Sequence, residues 1–400
     1  MYRYLAFEGV IDHVSEGSRF PMRKCSNRRN FMMRFRDRLD HQPSPIASWA
    51  HTLYVRDRQI HEHTYYATSR GTWPQISAIE DGSDPAHEDG DRLNRQAIWS
   101  LLPRLTSLTS FVCHMTISVE DLGTLESFVG TRLRSLFLQF ECFDPEVPTM
   151  VSRMTVLEGL GIYFEAQIEH LGEGAHVAAP ENLQRLDLLG TSINFPPVLY
   201  WVGSTRNSRL LELKIHTSGD LPMEPLHFLL STCGGSLTRL QLPRLGATDY
   251  DHVFQHVPHL RYMALRLQYS HVRSFVNEMP ASLTTLSLWN RTRGVSALHL
   301  VLQLVSCIRR CRKGTLLRAI RMTRPNKNFN GNPLLWEEDR AGQTSQAHRA
   351  WLSPLFESLK EIGVVLLDDE DVQLTDFLAD RDERGLDQGA KEIYDTSRYR

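Results

Sequence analysis

The stretch LQRLDL, residues 183–188, has leucine at its first, fourth and sixth positions. The same strict pattern recurs at 133–138, 237–242 and 283–288. Leucine is concentrated in this part of the chain, with 4 leucines in residues 1–100 and 50 in residues 101–400. At that leucine content about one strict match is expected by chance, so the four matches indicate a real repeat.

A relaxed pattern, with any apolar residue at the fourth and sixth positions, fills the gaps between the strict matches. Its first positions are Leu108, Leu133, Leu157, Leu183, Leu210, Leu237, Leu260, Leu283, Leu317 and Leu359. The first eight follow one another at intervals of 23 to 27 residues, and the last two intervals are 34 and 42. Each unit is predicted to contain a short strand whose fourth and sixth motif positions point to one face. In the tenth unit these positions are Ile362 and Val364.

This period and pattern resemble the leucine-rich-repeat family over about two thirds of the chain. The resemblance implies an α/β fold, a solenoid with a curved parallel β-sheet on its concave side and helices on its convex side. Helical spacing of apolar residues predicts helices at 121–129, 224–231, 250–257, 271–279 and 295–311. The family's polar ladder position is well matched only by Thr191, so we expect irregular repeats.

The composition excludes several classes of protein. Hydrophobic residues make up 41% of the chain and charged residues 23%, which is typical of a globular protein. The 45 basic and 47 acidic residues give a net charge of −2, so no overall attraction to nucleic acid or to a membrane is expected. The six cysteines form no CxxC pair, which argues against a disulfide framework or a zinc site. Without a signal peptide or a spanning segment, the protein is expected to be intracellular, in the cytoplasm, the nucleus or both.

No motif that carries catalytic chemistry is present. The chain lacks HExxH, GxSxG, a phosphate-binding loop and a dinucleotide fingerprint, and Gly172–Gly174 is interpreted as a turn. His61 and His63 could share one side of a strand, but a third metal ligand is missing nearby. The acidic stretch 80–91 lacks the spacing of a calcium loop. The sequence therefore predicts no enzyme, no cofactor and no metal.

Three regions are predicted along the chain. Residues 1–49 form an Arg-rich N-terminal segment, residues 50–368 the solenoid with an acidic loop at 80–91 and an insertion at 325–350, and residues 369–400 a charged cap and tail. Eight basic side chains lie within residues 19–38. The spacing of Phe31, Phe35 and Leu39 favours a surface helix whose solvent-exposed face is basic. Nucleic-acid binding by the same segment stays open as an alternative.

Two stretches also resemble fungal F-box/leucine-rich-repeat proteins: the run from Phe31 to Val55, which contains PSPIA at 43–47, and LLPRLTSL at 101–108. Residues 7–14 resemble the first F-box helix, without the Leu-Pro start of that family. The resemblance implies an F-box that binds the Skp-type adaptor of a cullin ubiquitin ligase and repeats that select the substrate. Since little of the box is present, we expect it to be degenerate or truncated.

In such a solenoid the third, fifth and seventh motif positions point away from the helices and form one continuous array. We predict partner binding at Phe137, Tyr163, Arg185, Lys214, Arg239, Tyr262, Arg266, Trp289 and Arg321. Five residues in the array are basic, and the three acidic ones are Asp187, Glu212 and Glu361. Arg, Tyr and Trp are enriched in binding hot spots, although each of these residues could equally be an ordinary surface side chain.

The sequence thus favours a non-enzymatic protein-interaction scaffold that binds its partner on the concave face. The preferred interpretation is a substrate-recognition subunit of an F-box ubiquitin ligase. A repeat scaffold or regulator unrelated to ubiquitin is the alternative, and a nucleic-acid-binding protein that uses the Arg-rich N-terminal segment is less favoured.

Overall fold

The computed structural model describes residues 4–8, 51–56, 98–140, 144–164, 177–205, 209–217, 220–289, 295–311, 316–323, 355 and 357–367. These residues form two compact units. The first unit contains the described residues up to Leu210 together with Thr217–Cys233, and the second contains Leu211–His216 and the described residues from Gly234 onward.

In the first unit, six strands pair in parallel in the order of the chain. They are β1 (Tyr4–Glu8), β2 (Thr52–Arg56), β3 (Ser110–Thr116), β4 (Ser135–Phe140), β5 (Gly159–Phe164) and β6 (Arg185–Gly190). The helices are α1 (Val119–Val129), α2 (Glu146–Ser152), α3 (Phe195–Gly203) and α4 (Met223–Cys233). Helix α1 begins where Ser118 Oγ accepts the Asp121 amide at 3.2 Å and the Asp121 carboxylate accepts the Ser118 amide at 3.1 Å, a capping box.

The second unit repeats this arrangement with shorter strands, again parallel and in chain order. The strands are β7 (Glu212–Thr217, with Thr217 assigned to the first unit), β8 (Arg239–Leu242), β9 (Tyr262–Leu265), β10 (Thr285–Trp289), β11 (Ala319–Thr323) and β12 (Val365–Leu367). The helices are α5 (Asp249–Phe254), α6 (Val272–Glu278) and α7 (Val295–Cys311).

The motif leucines form the core, because strand pairing aligns equivalent positions of successive repeats. Phe111, Leu136, Leu160 and Leu186 lie side by side in the first unit and are all buried. In the second unit the corresponding row is Leu213, Leu240, Met263, Leu286, Ile320 and Leu366, which is also buried. Burying one or two large apolar side chains per strand stabilises each repeat by several kcal/mol, on the order of 2 kcal/mol per side chain.

The helices lie on one face of each sheet. Parallel strands in chain order, joined by crossovers of the same right-handed sense, place every connecting helix on the same side. Neighbouring helices accordingly contact one another, α1 with α2 and α3 with α4 in the first unit, and α6 with α5 and α7 in the second. The fold is therefore an α/β leucine-rich-repeat solenoid, as predicted. We call the sheet face turned away from the helices the helix-distal face.

The predicted helices are confirmed to within a few residues, and 295–311 coincides with α7. The repeats are irregular, as expected: the register between β3 and β4 shifts between Val112 and Thr116. Thr191 is the one residue that matches the family's polar ladder position well. Its Oγ1 accepts a hydrogen bond from the side-chain amide of the buried Asn194 at 3.2 Å.

The prediction for the tenth repeat is wrong. Leu359 and Ile362 belong to a helical stretch at 357–362, and the last strand is β12, in which Leu366 lies beside Ile320. Apolar residues three positions apart fit a helix as well as the repeat motif. Leu359 is buried as part of the helical stretch.

The N-terminal prediction also needs correction. Strand β1 pairs with β2 in register from Tyr4 opposite Thr52 to Glu8 opposite Arg56. Phe7 and Glu8 are therefore in a strand, and the resemblance of residues 7–14 to an F-box helix fails at its first two positions. Several predictions concern residues outside the described ranges: the acidic loop 80–91, the insertion 325–350, the tail 369–400, the Arg-rich residues 19–38, the linker motif 43–47, His61, His63 and Gly172–Gly174.

Candidate protein-binding face

The helix-distal face is built from the strand positions that alternate with the buried motif leucines. In the second unit the first row across the strands is Glu212, Arg239, Tyr262, Thr285 and Ala319. The second row is Lys214, Gln241, Ala264, Ser287 and Arg321. Strand pairing thus fixes which side chains are neighbours. Of the predicted site residues in this unit, Arg239 and Tyr262 fall on the first row and Lys214 and Arg321 on the second. Trp289 is the last residue of β10, and Arg266 directly follows β9.

The nine predicted site residues differ widely in exposure. Phe137, Tyr163 and Trp289 are buried, with 2%, 5% and 7% of their surfaces exposed. Lys214, Tyr262, Arg266 and Arg321 are half-buried, whereas Arg185 and Arg239 are exposed. The aromatic residues are on the predicted face, but a partner could reach their rings only after neighbouring groups moved. The exposed members of the predicted set are Arg185 and Arg239.

Phe137 is buried because its ring lies across the neighbouring strand. A Cβ atom at Gly161 would overlap Phe137 Cδ2, so the ring occupies the space that a side chain on β5 would need. On the other side the ring of Phe137 packs on His114, with centroids 4.8 Å apart. Glycine at position 161 is thus required by the close approach of an aromatic ring from β4.

Trp289 is covered in a similar way in the second unit. Its ring stacks on the imidazole of His216 with centroids 5.4 Å apart and planes inclined by 14°. The two residues lie on β10 and β7, and at about 4.8 Å per strand their backbones are about 14 Å apart. Both side chains therefore lean across β8 and β9 to make this contact.

His216 is neutral in this cluster. The Gln241 side-chain nitrogen lies 2.9 Å from His216 Nε2, and because an amide N–H donates, the ring nitrogen is the acceptor. Burial lowers the pKa of His216 to about 3, with a smaller contribution from the positive charge of Lys214. The imidazole thus packs as an uncharged group between Gln241 and Trp289.

Glu212 and Arg239 of the first row are in contact with each other and with charged or aromatic neighbours. Glu212 Oε1 lies 3.0 Å from Lys214 Nζ and 3.7 Å from Arg239 Nε. The Arg239 guanidinium lies over the ring of Tyr262, with Cζ 4.9 Å from the centroid, a cation–π contact. Glu212 and Lys214 are largely buried, with 12% and 14% of their side chains exposed, whereas 51% of Arg239 is exposed.

The first unit has one comparable exposed cation. Arg185 occupies the same first-row position on β6 and lies against Gly159 of β5, where a Cβ atom would be 3.4 Å from its Nε. The absent side chain lets the guanidinium rest on the neighbouring strand. Each unit therefore presents one exposed arginine on the first row of its helix-distal face.

The face of the second unit is more basic than the sequence pattern predicts. Glu361 is not on the face, because it is in the helical stretch 357–362 and pairs with Arg309 of α7 at 2.7 Å. Among the described face positions of the second unit, the charged side chains are then Lys214, Arg239, Arg266 and Arg321 against Glu212.

Sequence reasoning missed the residues that decide exposure. Gly161 has no chemistry of its own, yet it makes room for an aromatic ring from the neighbouring strand. A small residue at a face position beside an aromatic one is the signal that could have indicated this. The contact of Gln241 with His216 also has no signal in the sequence pattern.

Sites for other chemistry were also sought. Within the described ranges, no group of three or more His, Cys, Asp or Glu side chains is placed to hold a metal ion. Cys307 and Cys311 are half-buried thiols, and Cys311 Sγ lies 3.4 Å from the Asn277 side-chain oxygen. No helix among the described residues is long and apolar enough to cross a membrane.

The fold and this face define a leucine-rich-repeat solenoid whose sheet presents arginine and aromatic side chains. No protein-family model matches the sequence, and no curated protein matches it. One solved structure similar to this chain is the leucine-rich repeat-containing protein LegL7 from Legionella pneumophila. The two chains share 13% sequence identity with a TM-score of 0.41, over 68% of this chain and 88% of that chain.

Proposed function

We propose that this protein is a non-catalytic scaffold that binds another protein on the helix-distal face of its sheet. The observation that carries the proposal is the Arg239–Tyr262 pair, a half-exposed guanidinium held over an aromatic ring on a face fixed by strand register. Arginine and tyrosine are the residue types that dominate binding energy in protein interfaces. The side chains need little reorganisation on binding, which lowers the entropic cost of association.

The more specific proposal is a substrate receptor of an F-box ubiquitin ligase, acting in the cytoplasm or the nucleus. Its support is the resemblance of residues 31–55 and 101–108 to the segments that join the F-box to the repeats in fungal proteins of that family. The repeats would then select the substrate, and an adaptor of the Skp type would bind the N-terminal segment.

Binding to the adaptor tests the ligase proposal. The purified full chain is mixed with a recombinant Skp-type adaptor and analysed by size-exclusion chromatography and calorimetry. A stable complex supports the receptor proposal. If no complex forms even with an N-terminally longer version of the chain, the ligase role is rejected and the scaffold without ubiquitin connection is retained.

Dependence of partner binding on the face tests the scaffold itself. Tagged wild-type protein is compared in quantitative affinity purification with Arg185→Glu and Arg239→Glu, and with Arg309→Glu as control. Arg309 suits this role because 49% of its side chain is exposed and it forms one ion pair, but it lies on α7 at the helical side. We expect the face variants to lose specific partners that Arg309→Glu retains. Equal retention by all three variants would reject partner binding on this face.

A further inference from the structure

Building on the scaffold proposal, we propose that Arg239 and Tyr262 form the anchor for a side-chain carboxylate in an acidic segment of the protein partner. The site consists of the exposed guanidinium of Arg239, the Tyr262 ring on which it lies and the Glu212 carboxylate near its Nε atom. Each of these parts restricts what the ligand can be.

The guanidinium is held in a defined orientation. Glu212 Oε1 lies 3.7 Å from its Nε, and the Tyr262 ring lies 4.9 Å below its central carbon. Among the described residues, no acceptor lies within hydrogen-bond distance of the two terminal nitrogens. These nitrogens form the planar fork that binds a carboxylate with two parallel hydrogen bonds. A fork already oriented by its neighbours loses less entropy when it binds.

The charge of Arg239 is only partly compensated within the protein. Glu212 is 0.7 Å closer to Lys214 Nζ than to Arg239 Nε, at 3.0 against 3.7 Å, and those two groups are the buried pair. The buried carboxylate and ammonium compensate one another first, since an unpaired buried charge is costly. The exposed Arg239 therefore carries the positive charge that a partner meets.

The surroundings favour an acidic partner. The described face positions of the second unit carry four basic residues and one acidic residue, although the whole chain has a net charge of −2. Such a local patch attracts acidic segments and repels basic ones. The remaining first-row neighbours, Tyr262, Thr285 and Ala319, are uncharged, so nothing there opposes the approach of a carboxylate.

A nucleic acid fits the same face less well. Its affinity comes from several phosphates bound by several cations at once. Arg266 and Arg321, the other arginines of this face, are half-buried and already interact with other groups. Lys214 Nζ forms an ion pair with Glu212. One exposed guanidinium beside the largely buried Glu212 matches a single carboxylate anchor, with flanking partner residues on the uncharged side chains of Tyr262 and Thr285.

The test uses fluorescein-labelled peptides of six Glu-Ala repeats and six Gln-Ala repeats, and a labelled oligo-dT of twelve nucleotides. Binding to the purified full chain is followed by fluorescence anisotropy at low salt. The wild type is compared with Arg239→Gln, Arg239→Lys and the control Arg309→Gln. Circular dichroism melting curves establish that all variants are folded.

We expect the Glu-Ala peptide to bind and the Gln-Ala peptide not to bind. Loss of two charge-assisted hydrogen bonds in Arg239→Gln should weaken binding about tenfold. Arg239→Lys should restore only part of the affinity because a lysine lacks the planar fork, and Arg309→Gln should bind like the wild type.

The proposal is overturned if the Glu-Ala peptide fails to bind, if Arg309→Gln weakens it as much as Arg239→Gln, or if Arg239→Lys binds as tightly as the wild type. Oligo-dT binding with the same dependence on Arg239 would also overturn it. Failure here is separable from failure of the scaffold proposal. If the peptide does not bind but Arg185→Glu still loses partners in affinity purification, the scaffold stands and the carboxylate site falls.

Discussion

Lowering the pH from 7.5 to 5.0 should destabilise this protein through one residue, His216. Its imidazole is buried, stacks on Trp289 and accepts a hydrogen bond from Gln241. Burial lowers the pKa of His216 to about 3, and the nearby charge of Lys214 acts in the same direction. Over this pH range the folded protein therefore keeps His216 neutral.

The size of the effect follows from proton linkage. An unfolded chain has a histidine pKa of about 6.5, so below that pH the unfolded state binds a proton that the folded state does not. Stability is therefore complete above the unfolded pKa and falls as the pH is lowered towards the folded value. Between pH 7.5 and 5.0 the loss in unfolding free energy is about 2 kcal/mol. The full loss of about 5 kcal/mol is reached only near pH 3.

Urea unfolding at several pH values, followed by tryptophan fluorescence, measures this loss. Other groups titrate in the same range, so the wild type is compared with His216→Gln, which cannot be protonated. The same substitution at the exposed His259 is the control. The wild type should lose about 2 kcal/mol more than His216→Gln over this range. Parallel stability curves for these two proteins would refute the neutral, buried histidine.

Two further substitutions test the packing. Gly161→Ala should cost about 1 to 3 kcal/mol because the new Cβ overlaps the Phe137 ring, and combination with Phe137→Leu should recover part of that loss in a double-mutant cycle. An additive cost would contradict the packing of this ring on β5. Tyr250→Phe should leave the unfolding free energy unchanged or raise it by up to about 1 kcal/mol. The Tyr250 hydroxyl is buried with no hydrogen-bond partner among the described residues, and burial raises its pKa, so the group is neutral. A loss above about 1 kcal/mol in the melting curve would contradict this assignment.

The strands between residues 108 and 323 could be predicted because the leucine spacing carries two independent constraints. Alternation places the fourth and sixth motif positions on one face, and the period near 25 residues brings each such strand beside the previous one. The register Leu136 to Leu160 to Leu186 follows directly from both. Helix α7 could be predicted to the residue because its apolar stripe is long and uninterrupted by a strand pattern.

The errors occur where one of these constraints is missing. After the 42-residue interval the period no longer restricts the pattern, and Leu359 with Ile362 fits a helix equally well. Strand β1 has a single leucine and no repeat before it, so its pairing with β2 depends on the tertiary structure alone. Local pattern cannot choose between helix and strand when neither neighbouring repeat helps.

The exposure of the candidate site residues could not be predicted from the alternation of apolar and polar residues along each strand. That alternation predicts on which face of the sheet a side chain lies, but not which other groups cover it. An aromatic side chain is long enough to reach the next strand, and the Phe137 ring does so where β5 has Gly161 at the facing position. Burying a ring in this way is favourable, whereas burying an unpaired guanidinium is not. On this sheet Phe137, Tyr163 and Trp289 are therefore covered, whereas two of the arginines stay accessible. For this reason Arg185 and Arg239, rather than Phe137, Tyr163 or Trp289, are the side chains that an approaching partner meets first.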